Sequence, residues 1–231
     1  MGVQLSAGEL AGLIDHTLLD GLATKQQITR LCQEALAWKF HTVCANGRWT
    51  GFIAEQLHRS NVKVGSVISL PLGADATSVK VAAARQAVFD GADEIDMVAD
   101  LAAIIEPDRH YLLNQLKAVL KVCRSMRPPV ILKVIIESAA LTREQKIFAC
   151  EIAQQCGVDF LKTSTGLNPA GGATVEDVML MKQSAPGCKI KAAGGIKTAA
   201  DVLEMLNAGA ERIGTSSAVE IMNQFKAGQL Q

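Results

Sequence analysis

Two lysines stand inside short runs that otherwise read as buried strands: Lys162 in Phe160-Leu161-Lys162-Thr163-Ser164-Thr165-Gly166, and Lys191 in Lys189-Ile190-Lys191-Ala192-Ala193-Gly194-Gly195. Burying a long cationic side chain is costly unless it is paired or discharged, and a discharged lysine is a nucleophilic amine. The pattern points to imine chemistry on a carbonyl. The lysines are 29 residues apart, about one strand–helix unit, which sets them on neighbouring strands where alternate positions share a face. Two ammonium groups about 5 Å apart at an effective dielectric of about 20 repel by roughly 3 kcal/mol, enough to bring one lysine pKa from about 10.4 to about 8. On these grounds alone either could be the nucleophile.

Asp96, in Glu94-Ile95-Asp96-Met97-Val98, is a carboxylate in an apolar strand and wants a cationic or proton-donating partner. It is a candidate proton shuttle, and Lys133, in Leu132-Lys133-Val134, is a candidate to fix its side chain. Asp15 and His16 close the first predicted strand and offer either hydrogen bonds at a site mouth or loop caps. Gly194-Gly195 and Gly214-Thr215-Ser216-Ser217 follow two further strands, each read as opening a helix. Backbone amides in such turns bind phosphate oxygens, with Gly166 as a further donor.

The elements that must position these groups are legible from periodicity. Eight strand-like runs (13–17, 40–45, 62–69, 94–99, 130–137, 160–165, 189–194 and 212–217) alternate with stretches of helical period, such as Ile28, Leu31, Cys32, Ala35 and Leu36, or Val202, Met205, Leu206 and Gly209. Helix starts carry the capping-box pattern at Ser6/Glu9, Thr24/Gln27 and Thr142/Gln145, with carboxylate versions at Thr174/Asp177 and Thr198/Asp201. Gly91, Gly157 and Gly209 each fall just before a predicted strand, where glycine supplies a left-handed helix exit. Eight repeated units without a Pro-, Ser- or Gly-rich linker predict one domain over 1–231, a (β/α)8 TIM barrel with a short N-terminal helix, in preference to an open doubly wound sheet. In a barrel, catalytic groups come from the C-terminal strand ends, and a phosphate site often follows strands 7 and 8.

Composition narrows the function classes. Of the 231 residues, 49% are hydrophobic and 20% charged, and Lys+Arg equals Asp+Glu at 23 each. No basic excess supports a nucleic-acid or membrane-surface partner. The six cysteines form no CxxC pair and no Cys/His cluster of zinc-ligand spacing, so no metal is expected and the cysteines read as thiols. The N-terminus lacks a signal-like pattern and no apolar run reaches about 18 residues. A cytoplasmic protein, free or as a homo-oligomer, is the expectation.

Along nearly its whole length the chain resembles the deoxyribose-phosphate aldolase family. The resemblance rests on Ile14-Asp15-His16-Thr17-Leu18-Leu19, Pro71-Leu72-Gly73, Gly91-Ala92-Asp93-Glu94-Ile95-Asp96-Met97-Val98, and Leu132-Lys133-Val134-Ile135-Ile136-Glu137. Its most specific stretches are Lys162 to Gly166 with Gly171 to Asp177, then Lys191 to Gly195, then Gly214 to Ser217. It implies a class I lyase, without metal or other cofactor, that reversibly cleaves 2-deoxy-D-ribose 5-phosphate to D-glyceraldehyde 3-phosphate and acetaldehyde. By motif position Lys162 would form the Schiff base, Lys191 would lower its pKa, and both Lys191 and Asp96 would move protons, with Lys133, Asp15 and Thr165 in support. Phosphate would rest on Gly194, Gly195, Gly214, Ser216 and Ser217, near Gly166. The chain departs from the family pattern at Asp20-Gly21, Ala45-Asn46-Gly47, Ser69-Leu70, Asp100 to Ala103, Leu167 to Ala170 and Ala218. A transaldolase-like Schiff-base barrel, or a barrel that binds sugar phosphate without turnover, are the alternatives.

Overall fold

The computed structural model describes residues 4–228. Part of the N-terminal stretch read above (1–3) and the last three residues of the predicted domain lie outside the described residues. Helix α1 (Ala7–Ala11) precedes β1 (Ile14–Leu18), and the chain then alternates as α2 (Lys25–Trp38), β2 (Thr42–Asn46), α3 (Thr50–Gln56), β3 (Lys63–Ile68), α4 (Thr77–Phe89) and β4 (Glu94–Val98). It continues with α5 (Ala102–Ile105), α6 (Arg109–Arg124), β5 (Ile131–Ile135), α7 (Arg143–Cys156), β6 (Phe160–Lys162), α8 (Val175–Ser184), β7 (Lys189–Ala193), α9 (Ala199–Asn207), β8 (Arg212–Thr215) and α10 (Ala218–Gly228). The strands pair in parallel in sequence order, and β8 closes on β1. The short helix and the closed barrel match the sequence-based expectation, and each predicted strand overlaps an observed one, with ends that differ by up to three residues.

Local chemistry explains where the helices begin and stop. Ser6, Thr24, Thr142 and Thr198 form complete capping boxes with Glu9, Gln27, Gln145 and Asp201, and the Thr174 hydroxyl accepts from the Asp177 amide. Gly91, Gly157 and Gly209 have φ of 94°, 78° and 108°, the left-handed exits the repeated Gly phrases predict. Helix α2 buries Ile28, Leu31, Cys32 and Ala35, one stripe at helical spacing. Leu36, predicted for the same stripe, is exposed.

The strands obey a two-residue period that separates an apolar layer from a charged one. Ile14, Ile95, Leu132, Val134, Leu161, Ile190, Ala192 and Ile213 join the hydrophobic core shared with the helices. The residues that alternate with them are Asp15, Asp96, Lys133, Lys162, Lys191 and Arg212, all buried and each in ionic contact with at least one other of the set. The barrel interior is therefore ionic at its centre. All six cysteines are free thiols.

Candidate active site

Position in the register explains why the two lysines meet. Lys162 pairs with Lys191 across β6 and β7, and Lys191 pairs in turn with Arg212 of β8. Lys162 Nζ donates to Asp96 Oδ2 at 2.9 Å, and Lys191 Nζ donates to the same oxygen at 2.8 Å. Asp96 Oδ1 accepts from Lys133 Nζ at 2.8 Å, so the expected Lys133 clamp on Asp96 is present. The bare ammonium–ammonium repulsion predicted from spacing is modified, because a carboxylate oxygen stands between the two groups.

Below this trio lies a second layer. Lys133 Nζ is also 2.6 Å from Glu94 Oε2 and 3.3 Å from Asp15 Oδ2. Lys191 Nζ is 2.5 Å from Asp15 Oδ2, and Arg212 Nη1 donates to Asp15 Oδ1 at 2.9 Å and to Glu94 Oε2 at 3.1 Å. Asp15 thus belongs to the ionic core and not to a loop cap. Its neighbour His16 points the other way, with Nε2 2.8 Å from Glu34 Oε2 and its ring tilted against Phe40.

Burial alone would raise the carboxyl pKa values and lower those of the lysines, but the opposite charges win. Burial pushes Asp96 up, yet Lys133, Lys162 and Lys191 outweigh it and hold the carboxyl well below the usual range. Glu94 is likewise held well down by Lys133, His41 and Arg212 against its burial. For Lys133 and Lys191 burial favours the neutral amine, and the surrounding Asp15 and Asp96 reverse it, raising both. Lys191 is accordingly an ammonium.

Above the lysines opens a cavity of about 620 Å³. Lys162 lies at its floor, Gly166, Gly194, Gly195 and Gly214 line it, and Thr165, Thr215 and Ser216 add hydroxyls. Three glycines pack backbone against backbone here. A Cβ on Gly194 would lie 3.0 Å from Gly172 Cα and 3.3 Å from Gly166 Cα, and one on Gly172 only 2.3 Å from Gly194 O. Larger residues would force the β6 and β7 loops apart and spread the turn.

Three details differ from the sequence reading. Gly214 lies inside β8 and not in a turn after it, because a side chain there would meet Lys191 Cε at 2.9 Å. Ser217 does not line the cavity, and its amide donates to Thr215 Oγ1 at 2.9 Å. The Gly194-Gly195 turn is separated from α9 by Ile196, Lys197 and Thr198, so it does not itself open the helix.

The structure adds residues that periodicity did not single out. Arg212 and Glu94 complete the ionic layer, and Lys197 stands on the cavity rim beside Gly195. Glu137, at φ 55°, accepts from the Thr165 amide at 3.1 Å and the Thr165 hydroxyl at 2.7 Å, which fixes the loop after Lys162. Lys80 of α4 is buried and donates to Val98 O and Gln115 Oε1, tying down the end of β4; its burial brings its pKa down to about 8. An adjacent Glu94 and an odd Arg opening a strand were the available signals for the ionic layer. Glu137 and Lys80 left none, since each acts across elements distant in sequence.

Among the departures from the family pattern, Asp20, Gly21 and Leu167 line the cavity, while Asp100 to Ala103 do not. Ser69, where glycine is common, has φ 55°, a left-handed conformation that costs a non-glycine residue about 1–2 kcal/mol.

Comparison with known proteins agrees with this geometry. A sequence model of the DeoC/LacD family of aldolases matches residues 10–227. The chain belongs to this aldolase family. A deoxyribose-phosphate aldolase from Carboxydothermus hydrogenoformans is 45% identical over 97% of this chain and 99% of its own. One from Thermococcus kodakarensis is 48% identical over 93% of this chain and 96% of its own. Among solved structures, the tetrameric deoxyribose phosphate aldolase of Aeropyrum pernix superposes with a TM-score of 0.89 at 30% identity, covering 96% of this chain and 93% of the other. Among the described residues, no helix is long and apolar enough to cross a membrane.

Proposed function

We propose that the chain, as one aldolase domain over 1–231, reversibly cleaves 2-deoxy-D-ribose 5-phosphate into D-glyceraldehyde 3-phosphate and acetaldehyde, with Lys162 as the Schiff-base residue. The observation that carries this reading is that Lys162 and Lys191 donate to one oxygen of Asp96 at the floor of a glycine-walled cavity. Of the buried lysines on the barrel strands, Lys162 is the one that opens onto the cavity and has a single carboxylate contact.

The amine of Lys162 attacks C1 of the open-chain sugar, and the carbinolamine oxygen must be protonated before it leaves as water. Lys191 supplies that proton, and Asp96 accepts the proton released from the attacking nitrogen. The protonated imine withdraws the electron pair of the C2–C3 bond as that bond breaks. The C3 hydroxyl gives up its proton to the Lys191 amine, left neutral by the dehydration step, as C3 becomes the aldehyde carbon of the phosphorylated product. The enamine left on Lys162 is protonated at C2 and hydrolysed to acetaldehyde, which restores the amine.

The phosphate is read onto the backbone around Gly194, Gly195 and Ser216, with Lys197 as the adjacent cation. Binding energy from this remote group holds C1 against Lys162. A cytoplasmic location and a homo-oligomeric assembly accompany this reading. The test is borohydride reduction in the presence of acetaldehyde, followed by peptide mass mapping. An adduct on Lys162 is expected, and its absence overturns the assignment.

A further inference from the structure

Three charged side chains line the cavity: Lys162 at its floor, and Asp20 and Lys197 on its rim. Asp20 is the only carboxylate of the lining, and among the described residues neither Asp20 nor Lys197 is held in a salt bridge. The acid is nevertheless fixed in place. Asp20 Oδ1 accepts from the Leu22 amide at 2.8 Å, and the Ala23 amide closes the same turn on Asp20 O at 3.1 Å. From the end of β2, the Asn46 side-chain amide donates to Leu19 O at 3.1 Å and to Asp20 O at 3.4 Å. The loop after β1 and the end of β2, both departures from the family pattern, thus form one unit that presents a carboxylate to the cavity.

A sphere of the cavity's volume is about 10 Å across, so a phosphate held inside it lies within about 10 Å of the rim acid. That is about one Debye length at 0.1 M salt, and a unit charge at that distance changes the binding of a dianion by about threefold at low salt. A neutral sugar feels no such effect. We propose that Asp20 is a specificity-determining residue: beside Lys197 it offsets part of the attraction for phosphate, and so narrows the preference of the site for phosphorylated over unphosphorylated substrates. Asp20 takes no part in imine formation. The proposal rests on the reading of the substrate as a phosphorylated sugar, and it assigns to the loop after β1 the task of setting how strongly that phosphate counts.

Asp20→Asn is the deciding variant, because it keeps a side-chain acceptor for the Leu22 amide, and with it the turn, while the charge is lost. The ratio of kcat/KM for 2-deoxy-D-ribose 5-phosphate to that for unphosphorylated 2-deoxy-D-ribose is expected to rise about threefold, chiefly through KM for the phosphosugar, and the rise shrinks in about 0.5 M NaCl. Asn46→Ala frees the loop without altering its charge, so its effect falls on both sugars alike. An unmoved ratio in Asp20→Asn overturns the role of Asp20, and so does a rise that added salt leaves undiminished.

A second readout does not need turnover. Glycerol 3-phosphate carries the phosphate but no carbonyl and cannot form an imine; its Kd by calorimetry is expected to tighten about threefold in Asp20→Asn, with glycerol as the neutral control. A wild-type chain that gives no Lys162 adduct with acetaldehyde and borohydride defeats the Schiff-base assignment alone. The glycerol 3-phosphate titration then still decides the role of Asp20: tighter binding supports it, while unchanged binding, or no binding to either chain, overturns it.

Discussion

Lys162 and Lys191 donate to the same oxygen of Asp96, at 2.9 and 2.8 Å, although their strands place them side by side in register. A shared acceptor sets one carboxylate oxygen between the two nitrogens, so under the proposed mechanism either nitrogen can exchange a proton with it. Asp96 is itself pinned from the far side by Lys133. Its position is therefore fixed by three lysines at once.

Replacing Asp96 with Asn removes the acceptor that both lysines use and leaves Lys133 without one of its anions. Loss of a positioned acid–base group costs about 10²–10⁴ in rate, and an uncompensated buried ion pair costs about 3–5 kcal/mol. Steady-state kcat and a urea unfolding curve should therefore both fall for Asp96→Asn. Wild-type turnover in this variant would rule out Asp96 as proton carrier.

The close approach of Gly172 to Gly194 gives a separable test of phosphate binding. A methyl group on Gly172 would fall 2.3 Å from Gly194 O, so Gly172→Ala must displace the turn, at about 1–3 kcal/mol of stability. KM for the phosphorylated sugar should rise about tenfold, a loss of roughly 1.4 kcal/mol in binding, with a smaller change for 2-deoxyribose. Equal effects on both sugars would place the phosphate elsewhere.

Glu137 tests the loop after Lys162. Glu137→Ala leaves the buried Thr165 amide and hydroxyl without their acceptor, a loss of about 1–3 kcal/mol per group. Glu137→Gln keeps an acceptor oxygen and should be the milder variant. Thermal midpoints and the rate of Lys162 trapping are expected to fall in the order wild type, Gln, Ala, and coincident rates for all three would show that the loop does not need Glu137.

Stability should depend on pH from both ends. Asp96 and Glu94 are depressed in the folded state, so their contribution is present above the unfolded values near 4 and is lost as pH falls through the folded ones. His16, lowered by burial against the pull of Glu34, begins the loss earlier, below about 6.5. Lys133 and Lys191 are raised, so their contribution is complete below about 10.4 and fades as pH rises through the folded values. Urea midpoints across pH 3 to 11 should show a plateau between roughly 6.5 and 8, below the range in which Lys80, lowered to about 8, and the buried thiols, raised by their burial, differ in protonation between folded and unfolded chains, and a steep slope inside that window would contradict the ion pairing described.

The sequence by itself determined the barrel, the caps that start its helices, the glycines that end them, and the lysines and aspartate at its centre. These are local signals: a strand period of two, a capping spacing of three and a charge in an apolar run each leave a mark within a few residues. The tertiary structure decided how the charges are shared. Spacing predicts two lysines repelling one another, but only closure of β8 on β1 brings Asp15 to Lys191 and Arg212, residues from opposite ends of the chain. Closure likewise turns Gly214 from a presumed phosphate turn into the space for the Lys191 stem. Electrostatic balance in a buried cluster is a sum over contacts from six strands, and no window along the chain contains it.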